Sequence, residues 1–303
     1  MGRRGKKGRS ISGILLLDKP QGLSSNEALQ KVKRLFFAAK AGHTGALDPL
    51  ATGMLPICFG EATKFSQYLL NSDKGYRVTA QLGVRTDSCD STGEITETKP
   101  VEVSRRQLLK ALEQFKGDIK QIPSMFSALK HQGQPLYKLA RQGIEVEREA
   151  RDIHIYHLAL LDFSNDQVQL EIECSKGTYI RNIVDDLGQL LACGAHVIEL
   201  RRTFVADYPL EQMVTLGELE DCRERNESLD GFLLPMDSAL LHLNEAILDD
   251  DSAHYFSNGN PVSFNEFEPG ELIRVYNESG EFMGVAEINE ELMLAPKRLV
   301  VRD

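Results

Sequence analysis

The chain has 303 residues, of which 42% are hydrophobic and 26% are charged, and its formal net charge is −10. No apolar run approaches the roughly 18 residues that cross a bilayer, and the first ten residues lack a secretory signal, so we exclude membrane and secreted proteins and expect a cytoplasmic one. Residues 211–303 carry 6 basic and 21 acidic side chains, so their net charge is −15 and that of residues 1–210 is +5. This asymmetry predicts a polyanion-binding part beside an acidic part.

The first predicted elements are a strand and a helix joined by a loop. The apolar run 14–17 predicts a buried strand that ends at a turn around Pro20. Ser24 and Glu27 have the spacing of a capping box, and a helical pattern follows that reaches Phe36.

The segment 42–56, GHTGALDPLATGMLP, places a His, an Asp and three glycines in one short loop. Pro49 restricts the backbone of Asp48 to extended or turn geometry. Gly45 and Gly53 permit unusual dihedral angles or the close approach of another chain segment. An isolated Asp-Pro pair is usually only a turn, but a carboxylate constrained from both sides is suited to point at a reacting atom.

Helical and alternating patterns follow one another through the next part of the chain. They predict helices at 61–70, 108–115 and 180–191, and strands at 76–82, 154–163, 168–174 and 196–205. The turn-prone residues 164–166 join two of these strands into an antiparallel hairpin. The mixture predicts an α+β fold with a mixed, mostly antiparallel sheet.

The sequence pattern changes from about residue 250. Short β runs alternate there with Asn-Gly, Pro-Gly and Ser-Gly turns, which are typical of a small β-barrel. We therefore expect a basic flexible tail at 1–10, a catalytic domain at 11–249 and a small C-terminal barrel at 250–303.

Neither the cysteines nor the acidic loop residues predict a metal site. The five cysteines are scattered and never have C-x-x-C spacing, which argues against disulfides and zinc, so we expect buried thiols. Asp87 and Asp90 lie among Ser, Thr and Gly, a composition that predicts a loop before it predicts a cation site.

Segment 42–65, GHTGALDPLATGMLPICFGEATKF, resembles the signature of the tRNA pseudouridine-55 synthase family (TruB type). Further blocks in the order of that family lie at 13–25, 74–94, 123–130, 174–188 and 194–208. The resemblance implies the pseudouridine synthase fold, which is a large mixed sheet with a central cleft, and a C-terminal module of the PUA type, which binds RNA. It also implies that the chain isomerises the T-loop uridine of tRNA by base flipping and without a cofactor.

The resemblance implies three catalytic residues. Asp48 matches the catalytic aspartate, which acts near ribose C1′ either as a nucleophile or as a base while the uracil is free. Arg181 matches the arginine that keeps this carboxylate ionised, and Tyr76 matches the tyrosine whose ring stacks on the base. Without the resemblance, Arg181 would be interpreted as a surface residue at a helix start, and Tyr76 as a packing residue.

The substrate-binding residues come from the same blocks. His43 is implied to fill the gap that the flipped nucleotide leaves, and Leu200 and Tyr179 to line the pocket. Basic residues expected to contact phosphate are Lys19, Lys64, Arg141 and Arg202, together with Arg3, Arg4, Lys6, Lys7 and Arg9 of the tail.

Two other functions compete with that of an enzyme. A non-catalytic RNA-folding protein could use the same cleft, and both roles could coexist in one chain. An RNA-guided relative in a ribonucleoprotein is disfavoured, because such relatives have extended basic termini. We expect a monomer that binds the T-arm of tRNA, needs no obligatory protein partner and does not bind membranes.

Overall fold

The computed structural model describes residues 8–264 and 266–302. The strands are β1 Gly13–Lys19, β2 Ala41–His43, β3 Thr52–Phe59, β4 Lys74–Leu82, β5 Val84–Thr86, β6 Ile95–Thr98, β7 Gly117–Gln121, β8 Lys130–His131, β9 Gln134–Pro135, β10 Arg151–Ser164, β11 Gln167–Cys174, β12 Ala195–Val205, β13 Val214–Thr215, β14 Asn244–Leu248, β15 Val262–Ser263, β16 Leu272–Asn277, β17 Phe282–Ile288 and β18 Met293–Leu299. The helices are α1 Ser25–Leu35, α2 Ser66–Asn71, α3 Arg105–Leu112, α4 Leu136–Ala140, α5 Ile180–Leu190, α6 Leu216–Glu224 and α7 Asp250–Ser257.

A nine-stranded sheet forms the body of the molecule. Its order is β13-β1-β3-β12-β4-β11-β10-β7, with β2 paired to β3. Only the β1–β13 and β3–β12 pairs are parallel among the described strands of this sheet. The α+β class with a mixed, mostly antiparallel sheet is therefore confirmed.

Several elements follow directly from local sequence. Ser24 and Glu27 form the expected capping box, in which each side chain accepts from the backbone of the other. The β10–β11 hairpin turns at Asn165 and Asp166, whose φ angles are 51° and 61°. Asn and Asp adopt this left-handed region more readily than most residues, so the turn residues fit their positions.

Two predicted helices differ from the structure at their ends. The stretch 61–70 is divided into a 3₁₀ turn, Gly60–Lys64, and α2, because Phe65 between them has non-helical dihedral angles. Helix α3 begins three residues earlier than predicted, at Arg105, since Ser104 and Gln107 make a capping box. It ends at Leu112 and continues as a 3₁₀ turn to Phe115.

A second, five-stranded sheet has the order β14-β16-β17-β18-β15. It begins at Asn244 with β14, which pairs in parallel with β16, and α7 packs on it. The sheet contacts the body of the molecule through an edge-on pair of rings, Phe65 and Phe282, whose centroids are 5.3 Å apart. The second sheet therefore makes an apolar contact with the segment that precedes α2.

The described residues contain no helix with the length and apolarity of a membrane span. They also contain no cluster of three or more His, Cys, Asp or Glu side chains arranged for a metal ion. All five cysteines are free, and Cys58, Cys174, Cys193 and Cys222 are buried as expected while Cys89 is partly exposed.

Candidate active site

The loop between β2 and β3 holds Asp48 in a turn. The backbone N–H of Ala51 donates to the carbonyl of Asp48 at 3.0 Å, and the N–H of Gly22 donates to the carbonyl of Pro49 at 2.7 Å. The hydroxyl of Ser25 accepts from the N–H of Leu47 at 2.7 Å and donates to its carbonyl at 3.0 Å. The start of α1 thus fixes the residue that precedes Asp48.

Arg202 fixes the other side of this loop. Its guanidinium is 1% exposed and donates to the carbonyls of Met54 at 2.7 Å and Gly45 at 3.2 Å. Gly53 has φ +98°, and a Cβ there would lie 2.2 Å from the carbonyl oxygen of Arg202. Only glycine fits at this approach of β3 to β12.

Arg181, in the first turn of α5, brings three chain segments together. Its Nε lies 2.9 Å from Oδ2 of Asp48, and its Nη1 lies 3.4 Å from Oδ2 of Asp90. It also donates to the carbonyls of Ser88 and Phe126, each at 2.8 Å. Arg181 is buried, so the alternative of a surface arginine does not apply.

The start of α5 is held by Gln121 at the end of β7. The side-chain amide of Gln121 accepts from the N–H of Tyr179 at 2.8 Å and donates to its carbonyl at 3.0 Å. Asn182 donates to the carbonyl of Ile122 at 2.7 Å. These three hydrogen bonds set the backbone on both sides of Arg181. The sequence alone does not indicate this role of Gln121, because a glutamine in a strand has no distinctive local pattern.

Asp90 is a second carboxylate that sequence reasoning assigned only to a loop. It is buried and accepts from the Ser88 hydroxyl at 2.8 Å and from the N–H and hydroxyl of Thr92 at 2.9 and 2.6 Å. With Asp48 it places two negative groups around Arg181. Two carboxylates offset the cost of a buried cation near a helix N-terminus, where the helix dipole is unfavourable to it.

Burial and the neighbouring cations change the pKa of Asp48 in opposite directions. Desolvation, the largest cause, raises the pKa of its carboxyl group above the ordinary aspartate value, and Asp90 also raises it. Arg181 and Lys19 lower the same pKa but do not cancel the effect of burial. The carboxyl side chain is still 41% exposed, because it faces an open cavity on one side.

That cavity has a volume of about 410 Å³, and six of the nine predicted site residues line it together with loop 45–47 and segment 127–129. The predicted residues on its wall are Asp48, Tyr76, Tyr179, Arg181, Leu200 and Arg202. Tyr76 and Leu200 are buried on adjacent strands, β4 and β12. The cavity joins an apolar wall and an aromatic ring to one partly exposed carboxylate.

Tyr76 keeps its proton in this setting. Burial, the largest cause, raises the pKa of its phenol, while the guanidinium of Arg202 lowers it. The ring borders the cavity and the hydroxyl lies beside Arg202.

The expected phosphate contacts are not gathered at one surface. Lys19 is fully buried and its ammonium donates to the carbonyls of Pro20 at 2.9 Å and Leu23 at 2.7 Å. Burial lowers the pKa of Lys19 to about 8. Because Arg202 also faces carbonyl groups, phosphate contact by either residue stays a prediction that would require its side chain to move.

Lys64 lies at the junction of the two sheets. Its ammonium contacts Oε2 of Glu61 at 2.5 Å and donates to the carbonyl of Leu299 in β18 at 2.9 Å. Arg9 pairs with Asp230 on the surface, and the cation of Arg141 lies 5.6 Å from the ring centre of Tyr137. The remaining basic tail residues lie outside the described part of the chain.

His43, at the end of β2, has a buried Nδ1 with no hydrogen-bond partner in the structure. Burial, and to a lesser extent Arg202, lowers the pKa of its imidazole, so the ring is neutral at pH 7. A flat, neutral ring suits stacking, but His43 does not line the cavity, and the role that the resemblance implies stays a prediction.

Family models cover most of the chain. Residues 33–180 match the TruB family pseudouridylate synthase (N terminal domain), and residues 181–241 match the tRNA pseudouridylate synthase B C-terminal domain. Residues 245–300 match Pseudouridine synthase II TruB, C-terminal.

Curated relatives match over nearly the full length. The chain is 58% identical to the tRNA pseudouridine synthase B of Colwellia psychrerythraea, with 98% of each chain covered. It is 57% identical to that of Escherichia coli strain K12, with 99% of each chain covered.

Solved structures confirm the fold. A chain of a Cbf5-Nop10-Gar1 complex superimposes with a TM-score of 0.72 at 24% identity, covering 96% of this chain and 84% of that one. A chain of an H/ACA RNP bound to a substrate RNA containing 2′-deoxyuridine gives a TM-score of 0.73 at 22% identity, covering 100% and 92%. The fold expected from the resemblance, with its curled C-terminal sheet, is therefore confirmed.

Proposed function

The chain belongs to the TruB family of pseudouridylate synthases, and on that premise we propose that it converts the uridine at position 55 of the tRNA T-loop to pseudouridine. The observation that carries this proposal is the ion pair of Asp48 and Arg181 on the wall of a 410 Å³ cavity. The basic excess of residues 1–210 supports RNA as the partner of this part of the chain.

The reaction breaks the bond between ribose C1′ and uracil N1 and forms a bond between C1′ and C5. A stacked uridine must first leave its stack, at a cost of a few kcal/mol. His43 would take the vacated space, while Tyr76 and Leu200 would enclose the base. Asp48 would lie next to C1′, and the cavity walls would keep the detached uracil in place while the bound RNA covers the open side.

Asp48 serves either route to the product. As a nucleophile it would bond to C1′ while the C1′–N1 bond breaks and uracil leaves as an anion, and C5 of that anion would then attack C1′ and displace the Asp48 carboxylate. As a base it would take a sugar proton while uracil leaves. In both routes the C5 proton must be lost at the end, and the Tyr76 hydroxyl is our candidate for moving a proton at the sugar.

We expect the rate of the chemical step to fall in mild acid. Only the ionised Asp48 can act, and burial raises its pKa above the ordinary value of about 3.9. The rate should therefore be constant above the raised pKa and fall as the pH drops through it. Single-turnover rates with saturating enzyme between about pH 4 and 8 would measure this. A rate that stays constant well below pH 5, with RNA binding unchanged, would contradict it.

The Tyr76→Phe variant should bind RNA normally and react slowly. It keeps the ring against the base but removes the hydroxyl, so we expect a loss of about 10²-fold or more in the single-turnover rate. Tyr208→Phe is the matched control, because Tyr208 is also buried but its hydroxyl pairs with Ser238 at 2.9 Å. An unchanged rate in Tyr76→Phe would remove this hydroxyl from the mechanism.

The position of the product tests the proposed function itself. The enzyme is incubated with full tRNA and with a bare T-arm stem-loop, and pseudouridine is mapped at nucleotide resolution. We expect one product, at the T-loop uridine, in both RNAs. A cytidine at that position should abolish the reaction, whereas product at another position would refute the proposed site.

We also propose that the chain assists tRNA folding. Base unstacking in the cleft would loosen misfolded T-arms whether or not isomerisation follows. Asp48→Asn should then rescue a tRNA-folding defect without forming product. Loss of rescue in a variant that still binds tRNA would exclude this role.

The division of the chain into a tail, a catalytic domain and a PUA-like module is part of the proposal. Because β14 already pairs within the second sheet, we propose to move the boundary of that module from residue 250 to about residue 244.

A further inference from the structure

Ser127 presents a buried hydroxyl to the cavity without a hydrogen-bond partner. It is 3% exposed, and within 8–264 and 266–302 its Oγ is one of only four buried side-chain nitrogen or oxygen atoms that lack a partner. Buried polar atoms are satisfied in nearly all cases, and an exception calls for an explanation. The segment 123–130 was singled out by its sequence, yet the proposed mechanism gives it no task.

Several other polar side chains around this cavity already have partners. Lys74 donates to the carbonyls of Leu69, Leu70 and Ser72, and Thr178 donates to that of Ser175. The hydroxyl of Ser175 accepts from the N–H of His154 at 2.8 Å. Arg181 and Arg202 are engaged as described above. Ser127 therefore has hydrogen-bonding capacity left for a ligand.

Ser127 is also positioned precisely with respect to the catalytic pair. Arg181 donates to the carbonyl of Phe126, the residue before Ser127, and the carbonyl of Ser127 accepts from the N–H of Tyr137 at 3.1 Å. The phenol of Tyr179 is close enough to the Ser127 hydroxyl for that hydroxyl to oppose the rise that burial causes in the pKa of Tyr179, although the two groups do not meet hydrogen-bond geometry. The same guanidinium thus holds Asp48 and the backbone next to Ser127.

We propose that the Ser127 hydroxyl hydrogen-bonds to the polar edge of the flipped uracil, at O2, N3 or O4. This inference rests on the proposed function. Uracil carries one donor and two acceptors on that edge, and each costs free energy if it is buried without a partner. The contact would hold the base in place while its bond to the sugar is broken.

The test is a chemical double-mutant cycle. Single-turnover rates of wild type and Ser127→Ala are measured on stem-loop RNAs whose target is uridine, 2-thiouridine, 4-thiouridine or 3-deazauridine. On uridine, Ser127→Ala should be slower by about three- to tenfold, the effect of one neutral hydrogen bond. The analogue that removes the contacted atom should slow the wild type but should not slow Ser127→Ala further.

Ser124→Ala is the matched control. Its hydroxyl accepts from the N–H of Phe126 at 3.0 Å in the same segment, so its effect should add to that of every analogue. Thermal unfolding of both variants shows whether the fold is retained. Additive effects of Ser127→Ala with all three analogues would overturn the contact, as would an unchanged rate on uridine. If wild type forms no pseudouridine from uridine, the proposed function itself fails.

Discussion

Replacing Asp48 by asparagine is expected to abolish pseudouridine formation while leaving the fold at least as stable as the wild type. An amide of the same shape can neither bond to C1′ nor accept a proton there. We expect a loss of at least about 10⁴-fold in the single-turnover rate, the scale seen when a covalent catalytic residue is removed.

The stability expectation follows from the direction of the pKa shift. The pKa of the Asp48 carboxyl group is raised in the folded state. This group therefore stabilises the fold fully only at a pH below its unfolded pKa, and the stabilisation is lost as the pH rises through its folded pKa. At pH 7 the ionised group therefore disfavours folding, and asparagine removes this cost. Arg181 keeps Asp90 and two carbonyls as partners, so it is not left unpaired.

Tritium release from C5-labelled uridine measures the activity, and thermal unfolding at pH 7 measures the stability. Asp221→Asn is the control, since Asp221 is an exposed residue of α6 and does not line the cavity. A slow but substantial residual activity would show that the carboxylate is not essential. A marked loss of stability would show that Asp48 supports the fold, against the direction of its pKa shift.

Most of the sheet could be predicted because alternation along a half-buried strand is a local property of the sequence. The hairpin of β10 and β11 has both the alternation and the turn residues, and its ends are close to those expected. The interruption between the 3₁₀ turn and α2 could not be predicted in this way. The ring of Phe65 packs against Phe282 from the distant second sheet, and such a contact leaves no trace in local spacing.

The candidate site, too, could be predicted only in part. The resemblance named Asp48 and Arg181 from separate blocks, and the structure places their charged atoms 2.9 Å apart. The resemblance could not indicate that Lys19 and Arg202 donate to carbonyl oxygens inside the protein. The sequence around a basic residue does not show whether its side chain faces solvent or the interior. The place of Asp90 in the site could not be predicted either, since its partner Arg181 is distant in the sequence.

Replacing Arg181 by alanine is expected to lower both the stability and the activity. Alanine leaves Asp90, whose side chain is 5% exposed, without its cation, and it frees the carbonyls of Ser88 and Phe126. Removal of one member of such a buried pair costs about 3–5 kcal/mol in the free energy of unfolding. Denaturant unfolding at pH 7 measures this cost.

Arg201→Ala is a matched control on the neighbouring strand. Arg201 makes a two-point pair with Asp18, at 2.9 and 2.7 Å, but its side chain is 41% exposed. Solvent screens such a pair, so its loss should cost only about 0–1 kcal/mol. Equal costs for the two alanine variants would contradict the role of burial.

The Arg181→Lys variant separates charge from geometry. Lysine keeps one positive charge but cannot donate to Asp48, Asp90 and both carbonyls at once, because it lacks the planar fork of the guanidinium. We expect the fold to recover most of the stability lost in Arg181→Ala, while the single-turnover rate stays lower than that of wild type by about 10²-fold or more. If lysine restores the full rate, a cation near Asp48 is sufficient, and the three-segment geometry around Arg181 is not needed for the chemistry.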